Sequence, residues 1–204
     1  MIPFPKINPT AFNIFGVDIQ WYGIAYATGL FLGLIYSKNL IKKTETIKKE
    51  VFDDIVLWIA LGTIIGGRLG YVIFYDFNYY LNNIFLIILD IRKGGMSFHG
   101  GLIGVIVSSY MFCKIKKLNY FKLMDVIACA APIGIFFGRL TNFINSELWG
   151  KTTSLPWGII FPNGGEVPRH PTQIYEAFFE GIVLFLVLNY FYKKKFVVAG
   201  YCAS

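Results

Sequence analysis

Five apolar blocks decide what this chain can fold into. Ile19–Tyr36, Ile55–Tyr75, Leu102–Cys113, Leu123–Thr141 and Thr172–Tyr192 carry few charges among them. A helix of about 20 mainly apolar residues crosses a bilayer, and in lipid an open strand cannot satisfy its own backbone. Of 204 residues, 55% are hydrophobic and only 15% charged, where a soluble domain would hold about a quarter charged. The expected fold is all-α, a polytopic integral membrane helix bundle with about five complete transmembrane helices. Residues 196–204 resume an apolar run, the start of a sixth helix, too short by themselves to cross. A single domain over 1–204 is expected.

The net charge of +7 could signal nucleic acid, but its placement argues for topology. Twelve of the 19 Lys and Arg fall in Lys38–Lys49, Lys114–Lys122 and Lys193–Lys195, each following an odd-numbered block. By the positive-inside rule these loops are cytoplasmic and the N-terminus lies outside. Residues 1–18, rich in proline and aromatic rings with a turn at Gly16, form an outer interfacial arm. Residues 76–96 and 142–171 are outer loops, the first holding a short interfacial helix. Cys113, Cys129 and Cys202 lack CxxC or metal-type spacing and read as small hydrophobes. With no small-residue cleavage site after it, the first block reads as a retained anchor.

Polar chemistry gathers in Gly138–Gly150, GRLTNFINSELWG. Arg139, Asn142 and Ser146 fall at i, i+3 and i+7, so a continued helix would show them on one face. Asn145 and Glu147 follow, and Trp149-Gly150 closes the stretch. A guanidinium near lipid costs about 2.5–3.5 kcal/mol on insertion scales unless it faces a polar cavity or a partner. A phosphate head group would suit Arg139 through two parallel hydrogen bonds. Snorkelling, or pairing with Glu147 to tie loops together, suits it equally.

Other blocks add candidates. Gly62-x-x-x-Gly66 and Gly66-x-x-x-Gly70 mark a face for close helix packing. Arg68, between them, is either a structural group on a carbonyl or carboxylate or a ligand contact. Gly94–Gly101, GGMSFHGG, sets four glycines around His99. Such a segment lets a ligand approach closely, and an imidazole can act as general base or as a helix-end residue. Tyr22 lies at an outer end, where aromatic belts place tyrosine. Asp125 reads as an N-cap or first-turn carboxylate, and Pro132 as a kink. RHPTQIYE, Arg169–Glu176, opens the last block with Thr172 as N-cap, and Glu176 and Glu180 lie one turn apart on one face. Arg68, His99, Arg139, Asn142, Glu147, Arg169, His170 and Glu176 all map to the outer half of the membrane or its outer edge. A cationic, lipid-accessible cavity there fits an anionic phospholipid.

This constellation resembles the prolipoprotein diacylglyceryl transferase family of bacterial inner membranes. GRLTNFINSELWG is similar to that family's signature: Gly-Arg, then Asn-Phe, an aliphatic residue, Asn, any residue, Glu and a nearby Gly. Gln20-Trp21-Tyr22-Gly23, Gly66-Gly67-Arg68-Leu69-Gly70-Tyr71, GGMSFHGG and RHPTQIYE match in the same order, over nearly the whole chain. The resemblance implies transfer of the diacylglyceryl group of phosphatidylglycerol to the lipobox cysteine of a preprolipoprotein, with release of glycerol phosphate. It implies a site on the periplasmic side of the inner membrane, with no cofactor, no metal and no nucleic acid. Catalytic roles are implied for His99, Arg139 and Tyr22: Arg139 on the lipid phosphate, His99 helping to deprotonate the cysteine. Arg139, Asn142, Asn145, Glu147 and Arg68 would bind phospholipid, supported by Gly100, Gly101, Arg169, His170, Tyr175 and Glu176.

Three departures stand out. Thr141 occupies a place usually held by Gly or Ala, and Gln20 one where some members carry His. The chain ends at Ser204, where the family continues through helices carrying another functionally important Arg and Glu, so C-terminal truncation is expected. Two other function classes fit the same residues. One is a transporter or channel built on GxxxG helices with a kinking Pro132. The other is a catalytically inactive lipid-binding fragment.

Overall fold

The computed structural model describes residues 2–44, 49–90 and 95–194. Gly94 of the glycine–histidine motif, Cys202, part of the Lys38–Lys49 and Lys193–Lys195 clusters and the expected sixth helix lie outside the described residues. Among the described residues, five helical stretches are long and apolar enough to cross a membrane: Trp21–Lys42, Val51–Phe74, Phe98–Lys116, Tyr120–Ile144 and Thr172–Lys193. No more than a third of any span's apolar window is buried within the protein. Leu30, Phe31, Leu61, Ile65, Ile103, Phe179 and Leu186 point outward. Lipid, not water, solvates such a surface, and the chain is a multi-pass membrane protein. Two compact units divide the described chain, one from the residues up to Leu40 and from Asp125 onward, the other Ile41–Met124.

The first unit opens with strand β1 (Ile2–Pro3) and the hairpin β2 (Thr10–Ile14)–β3 (Val17–Gln20). The expected turn is at Gly16, whose φ of +82° favours glycine; its N–H donates to Asn13 Oδ1 at 3.0 Å. Helix α1 (Trp21–Thr44) follows at once. After the second unit, α6 (Tyr120–Ile144) carries the chain back. It approaches α1 where Gly29 faces Gly134, and a Cβ on Gly29 would lie 3.0 Å from Gly134 Cα. Asn119 caps α6, its Oδ1 accepting from Lys122 N–H at 3.1 Å. Asp125 is therefore neither N-cap nor first-turn residue but a second-turn carboxylate, 1% exposed. Pro132 sits inside α6, which continues past it.

Strand β4 (Ile159–Ile160) pairs in parallel with β1, and Phe4, Phe143 and Phe161 cluster behind them, with ring centres 5.3–6.0 Å apart. The last span is α7 (Thr172–Glu176), a π-helical segment (Ala177–Val183) and α8 (Leu184–Lys193). Pro171, not Thr172, occupies the N-cap. Thr172 is already helical, and its hydroxyl donates instead to Leu148 O at 2.9 Å.

The second unit is built on α2 (Lys49–Phe74) against α5 (Phe98–Lys116). Gly62, Gly66 and Gly70 meet Gly100, Gly104 and Ser108 so closely that side chains would not fit. This is the small-residue packing the sequence predicts. Between the helices, α3 (Phe77–Asn82) and α4 (Leu86–Leu89) replace the one short helix expected. A Cβ on Gly104 would overlap the Gly62 carbonyl, whereas one on Gly138 would meet nothing within 4 Å. Gly104→Ala should lose about 1–3 kcal/mol from backbone displacement, and Gly138→Ala should be neutral or slightly stabilising. Thermal unfolding midpoints in detergent check the contrast; equal midpoints would contradict the packing.

Candidate functional site

Arg139 lies near the end of α6 and has an answer the sequence offered only in part. Its Nη1 is 3.2 Å from Glu176 Oε2, and its Nη2 donates to Glu180 Oε2 at 3.2 Å. The Glu176 contact is a charge contact without hydrogen-bond alignment; the Glu180 contact has both. Both carboxylates face the same way, as their spacing predicts. Pairing with Glu147, one of the alternatives the sequence left open, is not what Arg139 makes. A local reading favours the nearer glutamate in sequence, but packing of the last span supplies two others. Gly181 makes this approach possible: a Cβ there would sit 2.8 Å from Phe136 Cβ, one turn before Arg139. The π-helical segment begins immediately after Glu176 and contains Glu180 and Gly181. Such widened turns collect at functional sites, and no residue type in AFFEGIV announces one.

Glu147 serves a second network. The helix does not continue through Ser146, which is buried in the left-handed region at φ +54°. The helix face expected to join Arg139, Asn142 and Ser146 ends before it reaches Ser146. Glu147 N–H folds back to Asn142 O at 3.0 Å, and Asn142 Nδ2 donates to Glu147 Oε1 at 2.7 Å. Asn142 is 6% exposed. Gln173, fully buried, donates its amide to the Glu147 carbonyl; the sequence reading of RHPTQIYE assigned it no role. Asn145 contributes a backbone N–H to Thr141 O at 2.9 Å. Tyr22 stacks at a tilt on Tyr26, with ring centres 5.0 Å apart.

The loop ahead of α7 joins two motifs far apart in sequence. Gly150 N–H donates to His170 O and His170 N–H to Lys151 O, at 2.9 and 3.0 Å. The Arg169 guanidinium covers the Trp149 ring at 4.2 Å and donates through Nε to Gly164 O at 2.9 Å. Tyr175 Oη accepts from Trp157 Nε1 at 2.8 Å and lies 3.2 Å from His170 Nδ1. Arg169, His170 and Tyr175 are therefore engaged in holding the loop.

In the second unit, Arg68 is 3% exposed. Nε donates to Ile87 O at 2.7 Å, Nη1 to Gly95 O at 3.2 Å, and Nη2 to Tyr80 Oη at 2.9 Å and Leu86 O at 3.3 Å. Its guanidinium also lies 4.9 Å from the centre of the Tyr80 ring. The carbonyls that the structural reading of Arg68 calls for are thus among its partners. His99 is the second residue of α5, exposed and edge-on to Phe98. Ser97 caps that helix, its Oγ accepting from Gly100 N–H at 3.2 Å. Gly100 is in close contact with Gly66 and Gly70, and Gly95 with the Tyr71 ring, so a neighbouring helix and ring take the space a side chain would need there. Gly101 meets Thr63 only at ordinary van der Waals distance.

Arg68→Lys should behave like Arg68→Ala, since one ammonium cannot serve three carbonyls and a phenol. Either change should cost about 2–4 kcal/mol and speed hydrogen–deuterium exchange across 77–90. A Lys variant as protected as the wild type would show the fork to be unnecessary.

Residues 9–203 match the family model described as prolipoprotein diacylglyceryl transferase. The chain is 45% identical over 192 residues to the phosphatidylglycerol–prolipoprotein diacylglyceryl transferase of Idiomarina loihiensis, covering 94% of this chain and 72% of that protein. The protein of the same name from Rickettsia canadensis is 48% identical over 188 residues, 92% of this chain and 72% of its own. That of Rhizobium meliloti is 42% identical over 222 residues, 100% of this chain and 79% of its own.

Proposed function

The chain belongs to the prolipoprotein diacylglyceryl transferase family, and from that membership we propose that it transfers the diacylglyceryl group of phosphatidylglycerol to prolipoproteins. The acceptor is the lipobox cysteine. Its thiolate sulfur bonds to the glyceryl carbon, the carbon–oxygen bond to phosphate breaks, and glycerol phosphate leaves with the electron pair.

Arg139 carries the reading. It is an arginine within a membrane span whose side chain remains 29% exposed, and its partners are carboxylates that a phosphate can replace. Arg68, by contrast, is buried and donates to carbonyls and a phenol, which ties it to Tyr80, Leu86, Ile87 and Gly95. Arg139 would grip the lipid phosphate with two parallel N–H bonds and stabilise the charge gathering on the leaving group. Asn142, locked by Glu147, and Asn145 would orient the head group, with Tyr22 beside it. His99 would take the cysteine proton, since a free thiol with a pKa of about 8.5 is mostly protonated at neutral pH. Gly100, Gly101, Arg169, His170, Tyr175 and Glu176 would support these groups, and we read residues 1–204 as a single transferase domain. The basic clusters that begin in the last turns of α1, α5 and α8 support a cytoplasmic-membrane orientation with the N-terminus and the site outside.

The test supplies purified protein with phosphatidylglycerol and a lipobox peptide, and follows the mass gained on the peptide cysteine. Arg139→Ala should lower kcat/KM about 10²- to 10³-fold. Wild-type transfer by that variant would remove Arg139 from the chemistry. A wild-type protein that neither transfers nor binds phosphatidylglycerol would overturn the function.

A further inference from the structure

Arg139 stands between two carboxylates, so its cluster carries one net negative charge before any lipid arrives. That charge is the wrong sign for attracting an anionic phosphate. The two carboxylates are not equivalent. Glu176 precedes the π-helical segment, its side chain is 34% exposed and its Oε2 is shielded from solvent. Glu180 lies within the segment, its side chain is 46% exposed, and it makes the aligned hydrogen bond to Nη2. A phosphate joining both carboxylates would set three negative charges around one guanidinium, so its arrival favours release of one of them. The more exposed partner is the cheaper one to return to solvent or head-group water.

We propose that Glu180 is a positioning residue that occupies Arg139 in the lipid-free protein and is displaced by the phosphate of the donor lipid, while Glu176 remains as the arginine's permanent anchor. The inference rests on the reading of Arg139 as the phosphate-binding group. The exchange keeps the guanidinium neutralised at every stage, which an arginine in an apolar span requires. It also makes binding selective: a ligand must bring a negative charge to compete with a carboxylate, so neutral lipids are refused. After transfer, Glu180 competes again for Nη2 and favours release of the phosphate product. Glu180 thus tunes affinity rather than taking part in bond making.

The experiment titrates phosphatidylglycerol with brominated acyl chains into the purified protein in phosphatidylcholine bicelles, reading quenching of intrinsic tryptophan, with peptide transfer followed in parallel. Glu180→Gln keeps the shape and removes the competing charge. It should tighten phosphatidylglycerol binding about fivefold, the size of one partly exposed ion pair, and make free glycerol phosphate a correspondingly stronger inhibitor. Glu180→Asp, which keeps the charge, should return the dissociation constant toward wild type. Glu176→Gln should weaken binding by loosening the anchor. A residue that merely holds the helices together would move the unfolding midpoint and weaken binding in both Glu180 variants. Unchanged or weaker binding in Glu180→Gln, with transfer intact in the wild type, overturns the proposal and leaves the transferase reading standing. Tighter binding with no transfer by any variant upholds the exchange and removes the transferase reading instead.

Discussion

Inside a bilayer there is no water to complete a polar group's hydrogen bonds, so each buried donor has to be answered from within the chain. Two arginines on otherwise apolar helices make this constraint visible. Arg68 is answered by three backbone carbonyls and a tyrosine hydroxyl. Arg139 is answered by two carboxylate side chains on another helix. The difference has consequences for function. Carbonyls belong to the fold and cannot leave without unravelling it, so Arg68 is a fixed tie. Carboxylates on a partly exposed helix face can rotate away, so Arg139 can change partners without the helices moving.

What the sequence makes legible follows the same division. Hydropathy finds the spans because solvation by lipid acts residue by residue along a helix. The packing of α2 on α5 is legible because small residues four apart leave a groove whatever the partner is. Local signals do less well at ends and turns. α1 runs on to Thr44 through Lys38 and Lys42, since charge stops a hydrophobic block but not a helix. Lys117 and Ser146 take left-handed conformations that composition assigns to glycine or asparagine: Lys117 is the exposed C-cap of α5, its N–H donating to Cys113 O, and Ser146 is buried where the chain reverses.

The candidate site is legible as an inventory of residues more than as a set of partnerships. Arg139, Asn142, Glu147 and Glu176 stand out because polar groups are rare beside lipid. The pairing among them does not, because it depends on which helices meet. Glu147 is the nearest acid to Arg139 in its own motif, yet it turns back to Asn142 once the chain reverses at Ser146. The pairing of Glu176 and Glu180 with Arg139 needs Gly181 against Phe136, a contact between residues far apart in the sequence. Helical spacing gave the two glutamates a common face; only the fold supplied what that face meets.

The joining of the two polar motifs gives each a reason for the other. Residues 147–150 and 170–173 form one piece of structure, through Gly150 to His170, Thr172 to Leu148 and Gln173 to Glu147. The end of α6 and the start of α7 are thereby tied together, within about two helical turns of where Arg139 meets Glu176. A helix end held at one point can still tilt, but one held by three successive hydrogen bonds and a packed glycine cannot. Asn142 and Arg139 are carried on that braced end, so their spacing is set before any lipid binds. A phosphate arriving there would meet donors already in place, and the ordering cost of gripping it would fall on the few side chains free to exchange.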